Sequence, residues 1–292
     1  MRTSKSPREL YSLAKRYGCW DPESIPVSED RPHWASLDPA EREQFIKVCA
    51  LFYVGEASVS ETLPWFFLSV LDPDRRMFLA SQIYDEVKHA EFFNRYFEQA
   101  FNAANPAAYI TPTYRRILVD DLKLRGEELG RALCNQDQDR VGLASVLFAA
   151  KYFGIIEGVL AVTGYDALED LAAKTSCFPR LLEGIRLIRA DEGRHIAHGM
   201  GFIRETICNN PEYVAPVRQL FVHEAAEVPL LNASASHPNG LPPDLHRLSA
   251  LADQHYRKRL RDAGLNMMVL RPCLKNNRLL KADEVTKDDI DD

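Results

Sequence analysis

Two copies of a Glu-x-x-His motif carry the clearest chemical signal in this sequence. Glu86 and His89 form the first copy, and Glu192 and His195 form the second. Residues three apart on a helix share one face, with Cβ atoms about 5–6 Å apart. A carboxylate and an imidazole at that spacing can bind one metal ion, and the carboxylate can also bridge to a second ion.

A single glutamate precedes each motif inside an apolar stretch. Glu56 lies in the apolar segment 50–59, and Glu157 lies in the apolar segment 153–162. A buried carboxylate without a partner costs several kcal/mol to desolvate, so each of these needs a cation or a proton. Four carboxylates and two imidazoles in this order are the ligand set with which a ferritin-like four-helix bundle holds two metal ions.

The elements that position these residues are predicted to be helices. The intervals of 30 residues from Glu56 to Glu86 and 35 residues from Glu157 to Glu192 each fit a long helix, a short turn and part of the next helix. We therefore predict an all-α fold: a ferritin-like four-helix bundle of two hairpins joined by a longer crossover, with additional helices and an N-terminal wrapping segment. No stretch alternates clearly enough to predict a sheet.

Local signals set the expected helix limits. Asp38, Pro39 and Glu41 have the residue types of a helix start with a capping box, whereas Pro64 predicts a kink or a break and Gly164 an end. The predicted helices cover about residues 1–17, 38–71, 72–103, 113–135, 140–163, 178–208, 212–232 and 244–263.

Composition narrows the class of protein. The 292 residues are 46% hydrophobic and 27% charged, which is ordinary for a soluble globular protein large enough to bury a sizeable core. A net charge of −6 argues against general binding to nucleic acid. The N-terminus has no apolar signal core, and no apolar run approaches the ~18 residues of a transmembrane span. Six cysteines without a Cys-x-x-Cys pair indicate reduced thiols, and so a cytoplasmic protein.

The ligand types also narrow the choice of metal. Sites rich in carboxylate with one imidazole per ion suit iron and manganese better than copper or zinc. Open dinuclear centres of these metals react with dioxygen. Storage of iron, or a structural role for the metal, is the alternative interpretation of the same residues.

Segment 19–34, taken with the six metal-binding candidates, resembles ribonucleotide reductase small subunits over most of residues 10–210. Three features depart from the radical-generating members of that family. Phe93 stands where the radical tyrosine usually does, and Glu56 stands where the first ligand is usually Asp. No Tyr occurs between Leu260 and Asp292, where those subunits carry a radical-transfer tyrosine.

The sequence more closely resembles the ligand-binding oxidases that are related to those small subunits. Their hallmark is an ether bond between a Val three residues after the first ligand and a Tyr five residues before the third. Val59 and Tyr152 match these positions. The resemblance implies a mixed Mn/Fe centre, with di-iron as the alternative, and dioxygen as oxidant. It also implies a two-electron oxidation, a long-chain fatty-acid-like ligand with its carboxylate at the metals, and a homodimer.

The resemblance implies roles for individual residues. Glu86 and Glu192 would bridge the two metals, and Asp191 would accept a hydrogen bond from the His of the first motif. Trp20 matches a position on the radical path of the reductases. The manganese ligands would be Glu56, Glu86 and His89, and the iron ligands would be Glu157, Glu192 and His195.

On this interpretation residues 1–270 form a ferritin-like oxidase domain and residues 271–292 an acidic, flexible tail. Three other groups have little predicted role in chemistry. His198 is expected at the surface or beside the ligands, Glu224 on a solvated helix face, and the basic cluster 256–261 at the surface. Two alternative functions remain: a ribonucleotide reductase small subunit that generates a radical, and a non-catalytic ferritin-like protein that binds metal or lipid.

Overall fold

A computed structural model describes residues 5–175, 178–234 and 245–265, and those residues form helices and connecting turns without a strand. The predicted all-α, ferritin-like fold is confirmed. The α-helices are α1 (Pro7–Tyr17), α2 (Arg31–Ser36), α3 (Pro39–Ser69), α4 (Pro73–Tyr96), α5 (Pro112–Tyr114), α6 (Asp121–Cys134), α7 (Gln138–Ala149), α8 (Val162–Thr175), α9 (Pro179–Asn209), α10 (Val214–Ser234) and α11 (Leu245–Ala263).

Three π-helical segments continue these helices. Phe97–Phe101 extends α4, and Arg115–Asp120 joins α5 to α6. Ala150–Ala161 joins α7 to α8, so that one long helix runs from Gln138 towards Thr175. The four long helices of the bundle are therefore α3, α4, α9 and this continuous helix. As predicted, α3 and α4 form one hairpin, the long helix and α9 form the other, and the crossover between them contains α5 and α6.

The predicted helix starts are confirmed by side-chain caps. The Asp38 carboxylate accepts a hydrogen bond from the Glu41 backbone N–H (2.8 Å), and the Glu41 carboxylate accepts one from the Asp38 N–H (3.0 Å). At α4, Asp72 caps the first turn by accepting from the Arg75 N–H at 2.7 Å. Such caps satisfy N–H groups that have no partner within the helix.

Two positions at which the sequence suggests that a helix could end, Pro64 and Gly164, lie inside continuous helices. Helix α3 continues without a break through Pro64, because the neighbouring residues Leu63 and Phe66 are fully buried and their packing outweighs the local preference of proline. The long helix also continues past Gly164 to Thr175. The glycine is required for close packing there, since a Cβ at Gly164 would lie 2.8 Å from Cζ of Phe52.

Two apolar clusters fill the bundle, one on each side of the predicted ligands. Along α3, one cluster holds residues from Phe45 to Phe52 and the other holds residues from Val59 to Val70, with Glu56 between them. The same change of cluster occurs near the predicted ligands on α4, on the long helix and on α9. The candidate metal ligands are therefore surrounded by hydrophobic core on both sides.

The long helix is also apolar enough to be compared with a membrane span. Within Gln138–Lys174, the most apolar window of 18 residues has a mean hydropathy of 1.7. This window is not one uninterrupted apolar run, so the sequence analysis did not predict it. However, 78% of that window is buried inside the protein, as in the core helix of a soluble protein. The proposed tail 271–292 lies outside the described residues, as do residues 235–244 between α10 and α11.

Candidate metal centre

The structure brings the six predicted ligands together in two overlapping groups. One group contains Glu56, Glu86, His89 and Glu192, and the other contains Glu86, Glu157, Glu192 and His195. Within each group, the four candidate ligand atoms lie within 4.8 Å of one another, and all of these residues are buried. Glu86 and Glu192 belong to both groups, which is the arrangement that bridging carboxylates require.

Each imidazole turns its Nδ1 atom towards the carboxylates. His89 Nδ1 lies 3.5 Å from Glu56 Oε2 and 3.4 Å from Glu192 Oε1. His195 Nδ1 lies 3.1 Å from Glu86 Oε1 and 3.6 Å from Glu157 Oε1. Neither Nδ1 atom has a hydrogen-bond partner, and neither do Glu157 Oε2 and Glu192 Oε2. Buried polar atoms are rarely left without partners, so this convergent set fits two cations.

The opposite nitrogen of each imidazole is held by an aspartate. His89 Nε2 lies 3.1 Å from Asp191 Oδ2, as the resemblance implied, and His195 Nε2 lies 3.3 Å from Asp85 Oδ2. A hydrogen bond from Nε2 to a carboxylate fixes the orientation of the ring, so that Nδ1 points towards the metal position, and makes Nδ1 a stronger base. The sequence analysis missed Asp85. Its signal was present, because an aspartate precedes the glutamate in both motifs.

Two buried cations balance these aspartates. Lys88 Nζ lies 2.7 Å from Asp85 Oδ1 and 3.2 Å from Asp191 Oδ2, and it also donates to the Gly18 carbonyl at 2.8 Å. Arg194 pairs with Asp191 and lies 3.9 Å from Asp85 Oδ2. Lys88 and Arg194 occupy the same position in the two motifs. The repeated pattern is therefore Asp-Glu-x-(Lys/Arg)-His, with two aspartates neutralised by two cations beneath the imidazoles.

Trp20, in the N-terminal segment, contacts both Asp191 and His89. Its indole N–H donates to Asp191 Oδ2 at 2.7 Å, and its ring stacks on His89 with centroids 6.0 Å apart. The Lys88 ammonium lies 4.6 Å from the indole ring. The segment that resembles the reductase small subunits thus reaches the predicted metal centre through its tryptophan.

The carboxylates have unequal proton affinities. Burial raises the pKa of Glu56 and of Glu157 well above the usual value. Burial also opposes ionisation of Glu86, but the neighbouring His195 and His89 outweigh it and lower the pKa of Glu86. Burial opposes protonation of His89 and His195, but the neighbouring carboxylates outweigh it and raise the pKa of both imidazoles. The metal-free site therefore holds protons on the imidazoles as well as on the two outer carboxylates, and bound cations would replace them.

A hydrogen-bonded cluster places Tyr152 beside the carboxylates. The Tyr152 hydroxyl donates to Glu86 Oε1 at 2.5 Å, and Gln82 Nε2 donates to that hydroxyl at 2.9 Å and to Glu157 Oε1 at 3.3 Å. Tyr152 and Glu157 are five residues apart within the π-helical segment. Because π-helical hydrogen bonds span five residues, these two side chains can reach the same group. Sequence analysis did not identify Gln82, although it lies one helical turn before Glu86.

An apolar cavity of about 140 Å³ opens from the carboxylates. Val59, which is 3% exposed, lines it together with Tyr152. The cavity follows the groove between α3 and the long helix, away from the metal centre. Apolar residues from both helices form most of its walls, and they include Val48, Leu51, Phe52, Ile156, Leu160 and Leu171.

Of the two positions expected for His198, the surface is excluded, because the side chain is buried against Phe78 with ring centroids 4.7 Å apart and no hydrogen-bond partner for either nitrogen. Two other expectations about residues away from the ligands were wrong. Glu224 is buried and pairs with Lys151 at 2.7 Å. Arg259, from the basic cluster, is buried and donates to the Gly158 carbonyl at 3.1 Å. Helices α10 and α11 cover the long helix, so faces that looked solvated in the sequence are inside the protein.

The fold and the site together define a ferritin-like, dinuclear metal-dependent oxidase. The model of the family described as "Ribonucleotide reductase, small chain" matches residues 10–228. The chain belongs to this family.

Solved structures with this fold include point mutants of R2-like ligand-binding oxidases. One carries an anaerobically reconstituted Mn/Fe cofactor, is 24% identical to this chain, and superposes with a TM-score of 0.78 over 90% of this chain and 94% of that chain. A second has a non-activated Mn/Mn cofactor, 25% identity and a TM-score of 0.78 with the same coverage. A third, with a Mn/Fe cofactor, has 25% identity, a TM-score of 0.77, and coverage of 90% and 95%.

Proposed function

We propose that the protein is a Mn/Fe oxidase that activates dioxygen, binds a long-chain fatty-acid-like ligand and performs a two-electron oxidation. The observation that carries this proposal is the pair of overlapping ligand groups that meet Tyr152 and Val59 at one end of an apolar cavity. The solved structures with a Mn/Fe cofactor support the choice of metals, and di-iron is the alternative.

The six ligands would hold the two ions in the manner that the two groups indicate. The manganese side would be Glu56 and His89, and the iron side would be Glu157 and His195, with Glu86 and Glu192 shared. Metal ions bound there would supply the redox capacity that dioxygen reduction requires. Asp85 and Asp191 would fix the two imidazoles, while Lys88 and Arg194 pair with both aspartates.

The cavity supports a ligand with a long apolar chain. It begins at four carboxylate residues and continues between apolar walls, so that a carboxylate headgroup would lie at the metals and its chain along the groove. Burial of each methylene of the chain contributes about 0.8 kcal/mol. The apolar walls would also exclude water from the oxidation.

In the proposed reaction, the protein oxidises two of its own side chains, those of Val59 and Tyr152. An ether bond would form between the Tyr152 oxygen and Cβ of Val59. One hydrogen leaves Cβ and one leaves the hydroxyl, and the two electrons and two protons contribute to the reduction of dioxygen. Tyr152 donates its hydroxyl proton to Glu86 in a hydrogen bond of 2.5 Å, so a base lies next to the departing proton. Burial and the nearby Glu157 raise the pKa of Tyr152, so the phenol is neutral before it reacts.

Peptide mass spectrometry tests the proposal. The metal-free protein would be loaded anaerobically with Mn(II) and Fe(II), exposed to air and digested. A fused peptide that contains Val59 and Tyr152 and has lost two hydrogens is the expected result. Tyr152→Phe is the matched control, which should bind both metals and give separate peptides. Separate peptides from the wild-type protein with both metals bound would refute the cross-link.

A radical-generating reductase subunit is the second candidate, favoured by the family match and by the contact of Trp20 with Asp191 and His89. Phe93 argues against it, because this buried ring stacks on Phe52 where the reductases usually place their radical tyrosine. A stable protein radical detected by electron paramagnetic resonance, together with nucleotide reduction in the presence of a large subunit, would favour this candidate over the oxidase.

We also propose that the protein is a cytoplasmic homodimer, and the resemblance to the ligand-binding oxidases supports the dimer. Sedimentation velocity of the loaded protein tests this assembly, with a twofold increase over the monomer mass as the expected result. A large cage that binds many irons per chain would instead support the storage alternative.

A further inference from the structure

Two glycines flank Glu157 in the π-helical segment of the long helix, and a helix outside the bundle packs on each of them. A Cβ at Gly154 would lie 2.7 Å from Cζ of Phe221 on α10. A Cβ at Gly158 would lie 2.8 Å from Cδ of Arg259 on α11. The two glycines therefore permit α10 and α11 to approach the backbone on either side of this candidate metal ligand.

The contact at Gly158 includes a directional hydrogen bond. Arg259 donates from Nε to the Gly158 carbonyl at 3.1 Å, and its side chain is only 7% exposed. The guanidinium also pairs with Asp262 at 3.0 Å, one turn further along α11. Because glycine has more conformational freedom than other residues, a restraint at Gly158 limits backbone motion directly beside Glu157.

The charge of Arg259 is buried near the metal centre. Burial lowers the pKa of Arg259, while the carboxylates of Asp262 and Glu157 favour its charged form and oppose that decrease. Burial of a charged side chain is costly unless it is paired and hydrogen-bonded. The Gly158 carbonyl and Asp262 are partners of this kind, so the hydrogen bond to the backbone helps to stabilise the buried arginine.

The backbone that Arg259 contacts has an unusual geometry. π-Helices are rare and mostly limited to a single turn, whereas this π-helical segment has 12 residues. Local preference alone does not explain its length, so neighbouring helices must stabilise it. The same geometry brings Tyr152 and Glu157 to the Gln82 amide. A contact that holds the segment therefore also sets the position of Glu157.

We propose that Arg259 is a positioning residue of the metal centre, because its hydrogen bond to the Gly158 carbonyl fixes the backbone that presents Glu157 to the metal. This inference rests on the proposed function, since it takes Glu157 as one of the six ligands. It gives α11, which lies outside the four-helix bundle, a role in metal binding. The hydrogen bond of Arg259, and not its charge, carries this role.

Two variants of similar length separate the hydrogen bond from the charge. In Arg259→Gln, the amide nitrogen stands at the same place along the side chain as Nε of the arginine, so a donor is kept and the charge is lost. In Arg259→Met, a methyl group stands at that place, and both are lost. The Asp262 side chain is 34% exposed, so water can solvate its carboxylate in either variant.

Anaerobic titration of the metal-free, full-length protein with Mn(II) tests the proposal, with the free ion measured by electron paramagnetic resonance. The wild type should bind two ions per chain. In Arg259→Met, one of the two ions should bind about tenfold more weakly, at the lower end of the range for changes around metal ligands. In Arg259→Gln, both ions should bind as they do in the wild type.

Tyr256→Phe is the matched control on the same helix. It removes a buried hydrogen bond from the Tyr256 hydroxyl to the Phe221 carbonyl of α10 at 2.7 Å, and it should leave both affinities unchanged. An equal loss of affinity in this control would mean that the general attachment of α11 matters, and would overturn the inference.

Two further results would overturn the inference alone: unchanged affinities in Arg259→Met, or a loss in Arg259→Gln as large as the loss in Arg259→Met. Should Arg259→Met fail to fold, a tenfold loss in Arg259→Gln still overturns it. If the wild type binds fewer than two ions, the dinuclear centre of the proposed function fails as well.

Discussion

Each proposed imidazole ligand depends on one aspartate for its tautomer. In Asp85→Asn, the carboxylate that faces His195 Nε2 at 3.3 Å is replaced by a neutral amide. Loss of such a contact typically lowers metal affinity by about 10–100-fold, and we expect a loss of this size at the His195 side only. Anaerobic titration against a chelator, followed by elemental analysis, measures it.

The control for this change is Asp253→Asn, which removes a partly exposed carboxylate paired with Arg257 on α11. This variant should bind both metals as the wild type does. Asp85→Asn with unchanged affinity for both ions would show that Asp85 does not orient His195 for metal binding.

His198 should make the stability of the protein sensitive to acid. Burial lowers the pKa of His198 well below its usual value, and nearby Arg75 and His195 lower it further. The unfolded chain therefore binds a proton that the folded protein rejects. For this residue, stability is full above the unfolded pKa of about 6.5 and falls as the pH drops below it, by about 1.4 kcal/mol per unit until the folded pKa is reached.

His198→Leu should remove that part of the acid sensitivity. Urea unfolding of the metal-free protein at pH values of about 7 and about 5.5 would measure the loss of unfolding free energy, which should be smaller in the variant by about 1 kcal/mol. His246→Leu replaces an exposed histidine of α11 and should leave the wild-type loss unchanged. An equal loss in wild type and His198→Leu would contradict the prediction.

Residue types and spacing predict the candidate metal ligands better than they predict the residues that surround and orient those ligands. The two motifs and the upstream Glu56 and Glu157 could be found because side chains three apart share a helix face. Asp85 could also have been found, from its repeat before the second motif. Most of the apolar residues that line the cavity could not, since their positions depend on how α3 packs against the long helix.

At the level of the helices, two glycines on α9 offer a sharp comparison. A Cβ at Gly199 would lie 1.9 Å from Cγ of Phe153, whereas a Cβ at Gly201 would meet nothing within 4 Å. Gly199→Ala should therefore force the ring to move and destabilise the protein by about 1–3 kcal/mol. Gly201→Ala should stabilise it by up to about 1 kcal/mol, because alanine favours helix more than glycine does.

The unfolding free energies of the two variants, measured by urea titration, test this prediction. The two variants are well matched, because the mutated sites are two residues apart on the same helix. Destabilisation of both variants by the same amount would mean that the approach of Phe153 to Gly199 is not what requires a glycine. Metal content should be measured beside stability, since α9 also carries His195.

The helix starts could be predicted from the sequence, and the internal geometry of the long helix could not. Asp38 and Asp72 cap their helices by local contacts that residue type reveals. The π-helical segment Ala150–Ala161 has no such local signature, although it brings Tyr152 and Glu157 to the same hydrogen-bond donor. Gly164 suggested a helix end, because the sequence does not show that Phe52 packs against this glycine and requires the space of a missing side chain.

For the whole molecule, the helices beyond the four-helix bundle change the environment of the long helix. Helices α10 and α11 pack on it, and they bury charged side chains that the sequence alone places in solvent. Lys151, next to Tyr152, is fully buried, and its ammonium lies 2.7 Å from Glu224 Oε2 of α10 and 3.6 Å from Asp121 Oδ2 of α6. The crossover, the bundle and the C-terminal helices therefore meet at one buried ion pair.

Removal of one partner of this pair should be far more damaging than removal of both. In Glu224→Leu, the Lys151 ammonium would keep only the more distant Asp121, and breaking a buried pair in this way costs about 3–5 kcal/mol. The double variant Lys151→Met/Glu224→Leu replaces both charges with apolar groups of similar size, and we expect its stability to return to the wild-type level or above.

A double-mutant cycle of unfolding free energies measures this coupling, with Asp253→Ala as the exposed control. Asp253 pairs with Arg257 at 2.7 Å, but both side chains are more than one third exposed, so its loss should change stability by less than about 1 kcal/mol. If the double variant were as unstable as Glu224→Leu, the charges themselves would be needed to hold α10 against the long helix. If it recovers, hydrophobic packing alone can join the C-terminal helices to the bundle, and the ion pair restricts which helix faces can meet.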